Sequence, residues 1–177
     1  MRLQFLRHFD TSIDPVRPAS QWNLSDVGLS RSNAFVESWR IPLKGVWSSP
    51  ELKASTTAEA LSVKHGAPLF MDSRLREVDR GGSGLIKDYA AAVELYLGEA
   101  PGAPQWEPVG SVRERARSFL GSLKGARGNH LMVTHGLCMA ITLSECFNVD
   151  RFAFWRNLGF GQLIEADYSD PLDSLKF

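Results

Sequence analysis

Apolar positions along the chain follow two periods, and their alternation predicts strands separated by amphipathic helices. An apolar run from Leu3 ends abruptly on Arg7 and His8, and similar short runs predict strands at residues 45–47, 68–71, 130–133 and 161–167. Helices are predicted over residues 25–40, from the serines at 48–49 to about 64, and over 87–97, 112–123 and 137–147. Strands alternating with helices of this length predict an α/β fold, a three-layer α/β/α arrangement around a mainly parallel sheet.

Capping residues and apolar spacing support the individual helices. Ser25 is predicted as the N-cap of the first helix, in which Phe35 and Trp39 lie one turn apart on the buried face. A serine cap followed by Pro50 predicts the start of the second helix. The clearest amphipathic face is predicted for the fourth helix, at Val112, Ala116, Phe119, Leu120 and Leu123.

Length and composition narrow the class of protein. The 177 residues fit one domain, residues 1–177, with enough chain to bury a core. Twenty basic and twenty acidic residues cancel, so we expect neither nucleic acid nor membrane as a partner. The N-terminal residues lack a signal-peptide pattern, which predicts a cytoplasmic location. Cys138 and Cys146 lie eight residues apart, a spacing that predicts reduced core thiols and no metal site.

The Arg7-His8 pair is the first candidate site. Side chains that close a parallel strand border the crevice where α/β proteins bind ligands. A neutral imidazole is a usable nucleophile, and a neighbouring guanidinium matches phosphate oxygens, so the pair indicates phosphoryl chemistry. An isolated pair of this kind would more often be a polar strand end in solvent. A second histidine, His135, also closes a predicted strand, and two such histidines favour function.

A set of motifs extends this pattern along the chain. In order they are Leu6-Arg7-His8-x-x-Thr11, Leu24-Ser25-x-x-Gly28, Ser48-Ser49-Pro50-x-x-Lys53-Ala54-x-x-Thr57-Ala58, Leu75-Arg76-Glu77 and Thr134-His135-Gly136. This series resembles the histidine phosphatase superfamily, also called phosphoglycerate mutase-like.

The resemblance implies a role for each matching residue. His8 matches the nucleophile that forms a phosphohistidine, and Arg7 and His135 match groups that bind phosphoryl oxygens. Glu77 matches the carboxyl that protonates the leaving oxygen and then activates water. Lys53 matches a phosphate-binding position. Since side chains supply the positive charge, neither a metal nor another cofactor is expected.

Several positions depart from the family pattern. Lys53 replaces the usual second arginine, which keeps the charge but loses the bidentate fork. Phe9 replaces a common glycine and is expected to add bulk at the pocket wall, and Asp10 replaces the commoner glutamate. Asp14 stands where many members have a phosphate-binding asparagine; it is retained as a candidate phosphate-binding residue, with positioning His8 or a cation as its alternative, or pointing away.

Other residues have competing interpretations. Asp79 or Glu51 could replace Glu77 as the acid. Residues 81–84, rich in glycine, are expected to form a flexible loop over the pocket, because they lack the ending of a phosphate-binding loop. Trp22 and Trp106 could line a substrate mouth or pack against the scaffold.

The sequence therefore favours a metal-independent phosphomonoesterase that acts through a phosphohistidine. Its expected substrate is a small phosphorylated metabolite, with a phosphoprotein as the alternative. Two other functions stay open: a catalytically weak phospholigand-binding module, and a phosphomutase, for which the chain looks short. The sequence does not predict an oligomeric state.

Overall fold

The computed structural model describes residues 2–81, 86–144 and 147–167. Its strands are β1 (Arg2–Arg7), β2 (Gly45–Ser48), β3 (Leu69–Met71), β4 (Asn129–Thr134) and β5 (Leu163–Asp167). Its helices are α1 (Asp26–Ser38), α2 (Leu52–His65), α3 (Tyr89–Leu97), α4 (Val109–Ser122), α5 (Gly136–Leu143) and α6 (Arg151–Asn157). Two short 3₁₀ helices lie at Ala19–Gln21 and Ser73–Leu75.

The strands of the described residues form one sheet with the order β3-β2-β4-β1-β5. β3, β2, β4 and β1 pair in parallel, whereas β5 runs antiparallel to β1. The prediction of a mainly parallel sheet is confirmed. Because β1 and β4 are neighbours in the middle of the sheet, their carboxyl ends lie side by side at one edge.

Helices cover both faces of the sheet, so successive residues of the central strands enter different cores. Leu131 and Val133 of β4 pack with α1 and α2, and the intervening Met132 packs with α4 and α5. In β1, Leu6 packs with α1 and α2, and Phe5 packs with α4 and α5. Burial on both faces explains why these strands read as continuous apolar runs, and the three-layer prediction is confirmed.

Helix caps agree with the sequence in one case and differ in another. Ser25 is the N-cap of α1, and its hydroxyl accepts a hydrogen bond from the Gly28 N–H at 3.1 Å. The serine cap predicted for α2 is wrong. Glu51 occupies the N-cap position there without a side-chain capping bond, and the Ser49 hydroxyl instead accepts from the Glu51 N–H at 3.2 Å.

The helix α6 is not predicted by the apolar pattern of the sequence. Its N-cap is Asp150, whose carboxylate accepts from the Ala153 N–H at 2.8 Å. The helix is short and its aromatic residues lack a clear 3.6-residue period, which is why the apolar pattern did not reveal it. Within the described residues α5 ends at Leu143, before the predicted 147, and residues 145–146, with Cys146, lie outside the described part of the chain.

The expected place of Phe9 at the pocket wall is wrong. Its ring is buried in the core beneath α1, with its centroid 5.7 Å from that of Phe35. Gly161 makes this position possible: a Cβ atom there would lie 2.2 Å from a carbon of the Phe9 ring, and its φ of 71° is in the left-handed region. The bulk at position 9 is therefore accommodated by the absence of a side chain at position 161.

We expect Gly161→Ala to lower the free energy of unfolding by roughly 2–4 kcal/mol, because it combines a left-handed backbone strain with overpacking against Phe9. The matched control is Gly125→Ala, which has a φ of 84° but no atom within 4 Å of the added Cβ. Urea unfolding of both variants separates the two costs. Equal losses in the two proteins would contradict the packing argument.

Candidate active site

The pairing of β1 with β4 brings the two predicted histidines together. Arg7 pairs with Thr134 in the parallel register, so the residues that follow, His8 and His135, are adjacent at the carboxyl edge of the sheet. The His8 N–H donates to the Thr134 carbonyl at 2.9 Å, and the centroids of the two imidazole rings lie 5.1 Å apart. Two residues that are distant in sequence thus form one site.

Hydrogen bonding fixes which nitrogen of His8 is available. Its Nδ1 lies 2.7 Å from the carbonyl oxygen of Phe9, which can only accept a hydrogen bond, so Nδ1 carries the proton and Nε2 the lone pair. Burial lowers the pKa of His8 well below the ordinary value of 6.5, and the nearby His135, Lys53 and Arg7 lower it further. His8 is therefore neutral at physiological pH, with a nucleophilic Nε2.

His135 is fully buried, yet both of its ring nitrogens lack a hydrogen-bond partner among the described residues. Burial lowers its pKa well below 6.5, and the cations Lys53, Arg115 and Arg7 add to the effect. A neutral imidazole still presents one N–H donor. Buried polar atoms are normally paired, so an unpartnered histidine beside His8 indicates a place for a ligand acceptor.

Arg7 is held beside these rings by its own neighbours. Its Nη1 donates to the Leu158 carbonyl, and its guanidinium lies 4.0 Å from the centroid of the Phe160 ring. A Cβ on Gly136 would lie 3.2 Å from the guanidinium carbon, so the first residue of α5 leaves room for the cation. The buried Nε of Arg7 has no partner among the described residues.

The loop that carries Glu77 is fixed to the same edge of the sheet. The Thr134 hydroxyl, one residue before His135, donates to the Leu75 carbonyl at 2.7 Å. Arg115 of α4 donates to the Arg74 carbonyl at 2.6 Å, and it is itself held by Glu107 through contacts of 3.0 and 3.1 Å. This bidentate pair, buried at the base of the loop, holds the backbone that positions Glu77.

The Glu77 carboxylate meets the N-terminus of α5. Its Oε1 accepts from the N–H groups of Val78 and Cys138 at 3.0 and 2.9 Å, and its Oε2 accepts from that of Leu137 at 3.1 Å. A carboxylate has roughly four lone-pair positions, so the one left over is on Oε2. Burial raises the pKa of Glu77, aided by the negative charge of Glu51 and opposed by the three N–H donors.

Lys53 and Glu51, both at the start of α2, form the remaining side of the site. Lys53 is buried, and its Nζ donates to the Ala19 carbonyl at 2.5 Å and to Oε2 of Glu51 at 2.6 Å. Oε1 of Glu51 accepts from the Glu77 N–H at 2.7 Å and lies 3.5 Å from Nε2 of His135. The structure thus brings Arg7, His8, Glu77 and His135 together with Lys53.

Asp14 and Asp79 make contacts elsewhere. The Asp14 carboxylate accepts from the Val16 N–H at 2.9 Å and pairs with Arg17 at 3.4 Å, both within its own loop. None of the contacts among the described residues joins it to His8, so its role in phosphate binding stays a prediction. Asp79 is exposed and accepts from the Gly81 N–H at 2.9 Å.

The remaining candidate residues make contacts within the scaffold and its loops. Trp106 is buried beside Tyr96, with ring centroids 5.0 Å apart, so it packs against the scaffold. Trp22 donates to the Asp14 carbonyl at 2.8 Å. Cys138 is buried, and burial raises the pKa of its thiol. Of the predicted loop at 81–84, only Gly81 is among the described residues.

The described residues contain no group of three or more histidine, cysteine, aspartate or glutamate side chains placed to bind a metal ion. No helix among them combines the length and apolar character needed to cross a membrane.

Several residues that contact or support the site are not predicted by the sequence pattern. Phe160 lies 5.5 Å from His8 between ring centroids, and Glu107 and Arg115 support the Glu77 loop. The sequence predicts Glu51 only as an alternative acid, whereas it contacts Lys53, His135 and the Glu77 backbone. Its position two residues before Lys53 at a helix start was the available signal for Glu51; the others depend on tertiary contacts that no local pattern records.

Several solved structures of known proteins have a similar fold. A mycobacterial glucosyl-3-phosphoglycerate phosphatase is 23% identical, with a TM-score of 0.72 over 93% of this chain and 88% of its own. A phosphoserine phosphatase variant from Entamoeba histolytica, solved with phosphoserine, is 16% identical, with a TM-score of 0.68 over 93% of this chain and 89% of its own. These likenesses show a shared fold.

Bacillus stearothermophilus YhfR has the same fold, at 21% identity and a TM-score of 0.73 over 94% of this chain and 90% of its own. The comparison with curated proteins finds no significant match. The family model described as histidine phosphatase superfamily (branch 1) matches residues 5–169. The chain therefore belongs to the histidine phosphatase superfamily.

Proposed function

We propose that this protein hydrolyses phosphate monoesters through a phosphohistidine on His8, without a metal ion. The observation that carries the proposal is the pairing of two buried, neutral imidazoles, one with a defined nucleophilic nitrogen and the other with no hydrogen-bond partner among the described residues. Arg7 and Lys53 supply the positive charge that a phosphoryl group needs. Phosphoryl transfer depends mainly on such positioning and charge stabilisation.

In the first step the lone pair on His8 Nε2 attacks phosphorus, and the bond from phosphorus to the ester oxygen breaks. Glu77 passes its proton to the departing oxygen, so the alcohol leaves uncharged. The raised pKa of Glu77 favours the protonated form, and its free position on Oε2 is where that proton would be held. His135, Arg7 and Lys53 bind the phosphoryl oxygens.

In the second step Glu77 is a carboxylate and takes a proton from water as the water oxygen attacks phosphorus. The bond from phosphorus to Nε2 breaks, inorganic phosphate leaves, and both His8 and Glu77 return to their starting states. The hydrogen bond from His8 Nδ1 to the Phe9 carbonyl orients the ring through both steps.

The proposed substrate is a small phosphorylated metabolite handled inside the cell. Structures of similar fold come from proteins named for phosphorylated small molecules, a glucosyl-3-phosphoglycerate and phosphoserine. One observation favours a second candidate, a catalytically weak phospholigand-binding module: Lys53 is already paired with Glu51, which reduces the positive charge available to stabilise phosphoryl transfer. Trapping of the phosphohistidine separates the two functions.

We expect His8→Ala to abolish turnover of 4-nitrophenyl phosphate in the presence of a chelator, because the attacking nitrogen is lost. Acid-quench labelling should detect phosphohistidine in the wild type and none in the variant. His65→Ala is the matched control, since His65 lies at the end of α2 and makes a 3.4 Å contact with the Val36 carbonyl. Full activity in His8→Ala would contradict the assignment of His8 as the nucleophile.

The pH profile tests the protonation states of the two groups. Since the pKa of His8 is lowered, its nucleophilic form should persist and activity should continue below pH ~6.5. Since Glu77 must carry a proton in the first step and its pKa is raised, activity should decline as the pH rises through a value above ~4.5. Initial rates across this range check both limbs.

Glu77→Gln should lower the rate about 10²-fold or more for phenyl phosphate, whose leaving oxygen needs a proton. The loss in the phosphorylation step should be smaller for 4-nitrophenyl phosphate, which leaves readily as an anion. Single-turnover rates for the two esters provide the measurement. An equal loss for both would remove Glu77 from the acid role.

Lys53→Ala should weaken the binding of inorganic phosphate about tenfold or more, because a buried charged donor is lost. Lys64→Ala is the control, since Lys64 lies in the same helix and pairs with the exposed Glu37. Calorimetric titration of both variants checks the difference. Unchanged affinity in Lys53→Ala would place this residue outside the site.

A further inference from the structure

Glu51 is an acidic side chain inside a site that the proposed function requires to bind an anion. Its side chain is 10% exposed, and its two oxygens contact different parts of the site. Oε2 pairs with Lys53 at 2.6 Å, and Oε1 accepts from the Glu77 N–H at 2.7 Å. The carboxylate therefore lies between two of the elements that the reaction needs.

The third neighbour of Glu51 is His135. Oε1 lies 3.5 Å from its Nε2, a separation without hydrogen-bond geometry, and both ring nitrogens remain unpartnered among the described residues. A phosphoryl oxygen that bound His135 and Lys53 together would have to enter the space bounded by this carboxylate. Two anions at such a distance repel each other strongly where burial lowers the dielectric constant.

The side chain is not needed to build its helix. Glu51 is the N-cap of α2, but its carboxylate makes no capping bond, and the backbone of the cap is held instead by Ser49. Its contacts are directed to the site, with Lys53, Glu77 and His135. Its placement therefore reflects the charge balance of the pocket more than the stability of α2.

We propose that Glu51 is an internal anion that occupies part of the phosphoryl site, an inference that rests on the proposed function. Its carboxylate pairs with Lys53 and the Glu77 N–H until the phosphate of the substrate displaces it. The net charge of the site before phosphate binds is thereby closer to zero. Phosphate binding exchanges one anionic partner of Lys53 for another. The affinity for inorganic phosphate is therefore lower than it would be without the Glu51 carboxylate.

The test is the affinity for inorganic phosphate and orthovanadate, measured by calorimetry. Glu51→Gln keeps an oxygen that can accept from the Glu77 N–H but removes the charge, so both anions should bind about tenfold more tightly. Glu59→Gln is the matched control, because Glu59 is an exposed residue of the same helix. This variant should bind both anions with the affinity of the wild type. A residue that only supports the fold would not give tighter binding when removed.

Unchanged or weaker anion binding in a Glu51→Gln protein that melts like the wild type would overturn the proposal, as would the absence of phosphate binding in both. If the variant fails to fold, carbon-13 NMR of the wild type gives the answer. Saturating phosphate should shift the Glu51 carboxyl resonance and leave that of Glu59 in place, and an unshifted Glu51 resonance would overturn the proposal.

Phosphohistidine trapping in the wild type distinguishes this inference from the proposed function. Tighter phosphate binding in Glu51→Gln without any trapped phosphohistidine would overturn the hydrolytic mechanism and leave the role of Glu51 supported. Trapped phosphohistidine with unchanged phosphate affinity in the variant would do the reverse.

Discussion

The register between β1 and β4 is the constraint on which the site depends. Pairing Arg7 with Thr134 places His8 next to His135, and a shift of one residue would turn every side chain of a strand to the opposite face of the sheet. The register is specified by burial on both faces, because Leu6 and Val133 pack beneath α1 and α2 while Phe5 and Met132 pack beneath α4 and α5. The cores that stabilise the sheet therefore also set the distance between the two imidazoles.

The same burial determines the protonation of the site. Enclosure among cations keeps both histidines neutral, which leaves one of them nucleophilic and the other a donor without charge. Burial lowers the pKa of the two histidines but raises the pKa of Glu77, because it favours the uncharged form of each group. One physical condition thus favours a neutral imidazole and a protonated carboxyl within the same small volume, beside the cationic side chains of Arg7 and Lys53.

The fold and the strand-closing residues Arg7, His8 and His135 could be predicted from local signals in the sequence, whereas Glu77 and Lys53 are predicted through the resemblance of their motifs to a known family. Apolar periods reveal the strands and most helices, and parallel strands carry their closing residues to one edge. The surroundings of those residues could not be predicted in this way. Phe9 enters the core because Gly161, far along the chain, has no side chain, and Glu77 is supported by a pair formed by Glu107 and Arg115. Such contacts exist only after the chain has folded.

The antiparallel direction of β5 has a consequence for the rim of the site. Four parallel strands reach this edge with their final residues, but β5 reaches it with its first, so the turn that enters β5 provides Phe160 beside Arg7 and His8. The Gly161 N–H is held by the carbonyls of Arg7 and His8, at 3.1 and 3.2 Å. Lengthening the chain ahead of Phe160 would therefore change the surroundings of Arg7 and His8 while leaving the ladder between β1 and β5 in place.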